Sequence, residues 1–91
     1  MNKQRRTILS KKVAELETLK SQLESIKEDI EGVHDEEDDA FSNLPDGIQD
    51  GERGETMQEC IDEMDEQIST LDDIISYLDD VTSGLQEVID K

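Results

Sequence analysis

The sequence predicts an all-α fold: an antiparallel helical hairpin of coiled-coil type, pairing with a second copy into a four-helix bundle. Three observations predict it. An unbroken a/d seam runs through Met57, Ile61, Met64, Ile68, Leu71, Ile75, Leu78, Thr82, Leu85 and Ile89, with Thr82 its one polar member. Steps of three and four of this kind mark a helix with one buried stripe. A second seam, Leu9, Leu16, Leu19, Leu23, Ile26, Ile30 and Val33, matches it in kind, and the chain's only proline lies between the two.

The 91 residues are read as one domain: helix one over about 3–39, a turn over about 40–51 and helix two over about 52–90. Asn2 is placed to cap helix one, and strong helix formers fill its gaps, with Gly32 the one residue working against it at about 1 kcal/mol relative to Ala. In the turn, Ser42 or Asn43 can cap a short helical piece with Pro45 near its first position, and Asp46-Gly47 reads as a breaker. Phe41, Leu44 and Ile48 are expected to fold back and plug the end of the hairpin, with a docking spot for a partner as the alternative reading of the same three residues. Thr56-Met57-Gln58-Glu59 has capping-box spacing, although helix two can begin earlier, near Glu52.

Register follows from arithmetic. In an antiparallel pair, facing residues have a constant index sum. Val33/Ile61, Ile30/Met64, Ile26/Ile68, Leu23/Leu71, Leu19/Ile75, Leu16/Leu78 and Leu9/Leu85 all sum to 94. Half of that is Gly47, inside the turn chosen independently from its residue types, and each layer joins an a to a d. In this register Lys20 faces the region of Asp72 and Asp73, and Lys27 faces Asp65. Ile8, Cys60, Ile74, Val81 and Val88 form a further apolar strip that a lone hairpin cannot bury. A second copy is the expected cover, because widened apolar faces are what bundle helices carry; a different partner protein could use the same strip.

Composition bounds the function. One Phe, one Tyr, no Trp and 32% hydrophobic residues leave little for a globular core. A net charge of −17 repels nucleic acid and anionic membrane and attracts basic protein surfaces. No apolar run resembles a signal peptide or a membrane span, so a cytoplasmic protein is expected. Cys60 is the only cysteine, so no internal disulfide can form, and a partly buried helical thiol is its plain reading.

The charge is segregated. Residues 1–27 carry seven basic and three acidic groups, residues 28–66 seventeen acidic groups and only Arg53, and the remainder six acidic groups and Lys91. Folded as a hairpin, the turn half is about 15 helical residues long, so its charges average about one per 1.5 Å. Duplex DNA carries one per roughly 1.7 Å. A tip of that density can enter a basic groove as phosphate does, while a solvated, solubilising face is the alternative reading of the same run.

Other constellations fall short. Glu31-Gly32-Val33-His34 has the Glu-x-x-His spacing of di-iron helices, but the inward positions beside it are apolar. The acidic runs Asp35 to Asp39 and Asp46 to Asp50 lack the alternating ligands and final Glu of a calcium loop. With one histidine, no nucleophile–base set and no phosphate-cradling loop, neither catalysis nor a cofactor or metal is expected.

The tail of helix one and the turn, Asp35-Glu36-Glu37-Asp38-Asp39-Ala40-Phe41-Ser42-Asn43-Leu44-Pro45, followed by Gly51-Glu52-Arg53-Gly54-Glu55, resembles a group of short acidic two-helix proteins of bacteriophage and integrative-element genomes. Those also open on a basic Met-Asn-Lys-type start and end in a heptad helix. The resemblance implies a mobile-element origin and no established biochemical activity.

Two functions are therefore expected to compete. In the first, a phage-encoded inhibitor uses an acidic tip, Asp35, Glu36, Glu37, Asp38 and Asp39 with Glu59, Asp62, Glu63, Asp65 and Glu66. The tip occupies the basic nucleic-acid channel of a host protein, for example a CRISPR effector or another defence nuclease. In the second, a dimeric coiled-coil scaffold of a phage or mobile element acts through the apolar strip and the acid is only solubilising. Segregation favours the first, since solubilising charge has no reason to concentrate at one end.

Overall fold

The computed structural model describes residues 1–91, which form three helices and no strand: α1 (Lys3–Ser42), α2 (Asp46–Gln49) and α3 (Glu52–Asp90). Asn2 caps α1 as its residue type predicts, its Oδ1 accepting the Arg5 N–H at 2.8 Å. At the other end α1 runs to Ser42, three residues beyond the expected Asp39. The reason is Gln49, whose Nε2 donates to the carbonyls of Phe41 and Leu44 at 3.1 Å each and lies 3.4 Å from that of Ser42. Helix C-termini leave carbonyls without intrahelical partners, and one side-chain amide here satisfies them.

The turn departs from expectation in three places. Asp46-Gly47 does not break a helix but opens α2, with Pro45 at its N-cap and Asp46 in the first turn; no residue, glycine included, has a positive φ. Thr56 is not a cap either. It lies within α3, its hydroxyl donating to the Glu52 carbonyl at 3.0 Å, and the first bond of that helix is accepted by Gly51. Phe41 and Leu44 are half-buried as expected, but Ile48 is exposed, and Gln49 takes its place in closing the turn.

The chain divides into two compact units, residues 1–25 with 72–91, and residues 26–71. Each sets a segment of α1 against a segment of α3, the pattern of an antiparallel hairpin. In the first unit Val13 and Ile75 are buried and Leu9, Leu16, Leu78 and Leu85 half-buried. In the second Ile61 is buried and Ile30, Met57, Met64 and Ile68 half-buried. Every a/d residue of α3 is thus covered at least in part.

The seam of α1 is rotated from the one expected. Its a residues Leu9, Leu16, Leu23 and Ile30 are half-buried, but its d residues are not: Leu19 is 44% exposed, Ile26 49% and Val33 55%. The e residues turn inward instead, Val13 buried and Lys20, Lys27 and His34 half-buried. Long basic side chains lay their apolar stems along a seam while their charged ends reach out of it, so e positions of this kind can substitute for aliphatic d residues when acids wait on the other helix.

The ion pairs show where those ends go. Lys20 Nζ lies 2.7 Å from Asp79 Oδ1, nearly two helical turns beyond the expected Asp72 and Asp73. Asp65 pairs with His34, while Lys27 lies 3.6 Å from Glu31 on its own helix. The Lys20–Asp79 and His34–Asp65 pairs each have residue numbers summing to 99. Side chains lean toward the N-terminus of their own helix, and in an antiparallel pair that lean carries each toward higher numbers on its partner. The Lys20–Asp79 and His34–Asp65 contacts therefore sit above the layer sum of 94.

Candidate protein-binding surfaces

The first candidate is the acid. The second unit, residues 26–71, holds seventeen acidic side chains against Lys27 and Arg53, net −15. The first unit holds nine acidic and seven basic, net −2. The division of the fold thus coincides with the division of charge. All ten acidic residues expected at the tip belong to the second unit, on α1 and α3, and nine of them are exposed, with Glu37 half-buried. Two are held by neutral donors that leave their charge intact: Gln58 Nε2 donates to Asp62 at 2.9 Å and Gln67 Nε2 to Glu63 at 2.9 Å.

His34, the chain's only histidine, sits among these acids, and an imidazole changes charge near neutral pH. Its Nδ1 lies 3.0 Å from Asp35 Oδ1. Its Nε2 lies 2.8 Å from Asp65 Oδ1, within ion-pair distance but off the axis of a hydrogen bond. The hydrogen bond to Asp35 raises its pKa above the ordinary 6.5, with Asp65 and Asp38 acting in the same direction and burial opposing them. A raised value means that the protonated form stabilises the fold. That contribution is complete below the unfolded-state value and is lost as pH rises through the folded one. His34→Gln is therefore expected to lower the thermal midpoint below pH 6.5 and above the carboxylate range, with the difference from wild type shrinking as pH rises. A difference that grows toward alkaline pH contradicts this. The same contacts occupy the Glu-x-x-His pair: His34 is engaged by Asp35 and Asp65, and Glu31 by Lys27.

The second candidate is apolar, and it is wider than the sequence strip. In the first unit Ile8, Leu19, Ile74 and Val81 are exposed. In the second Ile26, Val33 and Cys60 are. Val88, expected in the strip, is instead half-buried. Beside Cys60 an open groove exposes the seam itself, lined by Ile30 and Met64 with Glu59, Glu63 and Gln67. The heptad reading spent Leu19, Ile26 and Val33 on the interior and so missed them here. The signal was present in the sequence: helix one is apolar or long-stemmed at a, d and e together, an arc too wide for one partner helix.

No helix is long and apolar enough to cross a membrane. A scan against protein-family models, a search of curated proteins and a search of solved structures each gave no match to this chain.

Proposed function

We propose that this chain is a non-catalytic, cytoplasmic protein-binding module of a phage or other mobile element. Its acidic unit occupies the basic nucleic-acid-binding surface of a host protein, such as a CRISPR effector or another defence nuclease. The observation that supports this reading is the confinement of net −15 to residues 26–71 while the rest of the chain is close to neutral. A field of one sign focused on one unit steers association with a basic cleft, and water and counterions released there favour binding as they do for phosphate. The resemblance of the turn to mobile-element proteins supports the origin. Self-association into a four-helix bundle belongs to the same proposal and is supported by the exposed aliphatic residues of both units.

The test is capture from host lysate by the wild type and by a variant with Asp38→Asn, Asp39→Asn, Asp62→Asn and Glu63→Gln. These side chains are exposed, so the fold is expected to persist. Loss of the captured basic protein with the variant supports the reading. Capture unchanged by neutralisation but abolished by Ile74→Asp favours the second one, an assembly protein acting through its apolar face, whose supporting observation is the exposure of Ile74 and Val81.

A further inference from the structure

We infer that two copies of this chain pack antiparallel, so that the first unit of each copy lies on the acidic second unit of the other. The occupant of the apolar face is thus a second copy in a stated orientation. This rests on the self-association included in the proposed function and goes beyond it in fixing the geometry.

The first argument is burial. Only Val13, Ile61 and Ile75 are buried among the hydrophobic residues, and no side chain falls below 2% exposure. The accessible surface is 6550 Å² for a 10.3 kDa chain, whereas a folded monomer of that mass has about 5,350 Å². The excess is about 1,200 Å² per chain, or about 2,400 Å² for two, within the range of homodimer interfaces. The second argument is position. The d and g residues of α1 and the g residues of α3 fall on one side of an antiparallel helix pair. Ile8, Leu19, Ile74 and Val81 in the first unit, and Ile26, Val33 and Cys60 in the second, are residues of this set left exposed. Each unit therefore leaves apolar residues of this set exposed, as a self-complementary two-fold contact requires.

Charge selects the orientation. Parallel packing sets one −15 unit beside another. Helix axes in contact are about 8–10 Å apart, close to one screening length of about 8 Å at physiological salt, so that repulsion is weakened but not screened away. Antiparallel packing instead brings Lys3, Arg5, Arg6, Lys11 and Lys12 of the first unit alongside the partner's acid. The apolar contact is available in either orientation, so the electrostatic difference decides between them.

A nitroxide on Cys60, the only cysteine, tests this through the label-to-label distance from pulsed dipolar spectroscopy, with the mass of the same sample measured by sedimentation equilibrium. Cys60 lies about 11 residues from the middle of α3, so full antiparallel overlap separates two labels by about 33 Å along the axis, and parallel overlap brings them within about 15–20 Å. A dimeric mass with the long distance is the expected result. A dimeric mass with the short distance overturns the orientation and leaves self-association standing. A monomeric mass for labelled and unlabelled protein alike overturns both. Should the label alone dissociate the dimer, Gln58→Cys in a Cys60→Ser background carries it two residues farther from the middle of α3, where antiparallel overlap separates the labels by about 39 Å along the axis and parallel overlap again leaves them far closer.

Discussion

Gly54→Ala is expected to destabilise the protein strongly, although alanine is the better helix former. Gly54 is buried in the first turn of α3, and a Cβ built there falls 2.7 Å from the Gln49 Cα and closer still to its carbonyl. These are backbone atoms, which no rotamer change can move aside. Gln49 is also the residue whose amide closes the end of α1, so displacing it breaks that cap as well. The gain in propensity is about 1 kcal/mol. Overpacking costs about 1–3 kcal/mol where side chains can adjust, and loss of a cap adds about 1 kcal/mol, so the clash wins. Gly32→Ala and Gly84→Ala are the controls: both glycines are helical with nothing within 4 Å of the added carbon, and each change is expected to stabilise by about 1 kcal/mol. Thermal unfolding of the three variants reads the contrast, and a stabilised Gly54→Ala protein contradicts the described turn.

Ile61→Asp is expected to abolish the fold, whereas Val33→Asp leaves it helical. The heptad rule pairs these two residues in one layer, yet Ile61 is 4% exposed and Val33 55%. A carboxylate at Ile61 loses a well-packed side chain, at about 2–5 kcal/mol, and buries an unpaired charge besides. Such a loss approaches the whole stability of a small domain. At Val33 the new carboxylate stays in water, where substitutions fall within about 0.5 kcal/mol, and its effect appears in self-association instead. Circular dichroism of the two variants decides the matter. Equal loss of helix in both restores a symmetric a/d core.

These contrasts mark what the residues disclosed in advance. The seam of α3 and the presence of two helices were legible because periodic apolar residues report helical burial directly. The segregation of acid was legible because it is written in contiguous runs. The rotation of α1 was not, because the heptad rule ranks Leu19, Ile26 and Val33 as core by hydrophobicity alone. It takes no account of Lys20 and His34, whose charged ends find Asp79 and Asp65 only when the e positions turn inward. The turn was located but misassigned. Asp46-Gly47 suits a breaker and a first helical turn equally well, and Pro45 before it tips the balance toward the helix. The contact between Gln49 and Gly54 had one trace in the sequence, a glycine within the first turn of an otherwise favourable helix, which a close approach of backbone explains.

The claim at the centre of this account is that the acidic unit binds in the manner of a polyanion. The measurement that tests it most directly is the affinity of the captured host protein across a salt series, with and without competing duplex DNA. Affinity falling steeply between low and physiological salt, with DNA displacing this chain from its partner, is the predicted result. Affinity that holds in strong salt and ignores DNA contradicts it, and leaves the charge of residues 26–71 as a solubilising surface.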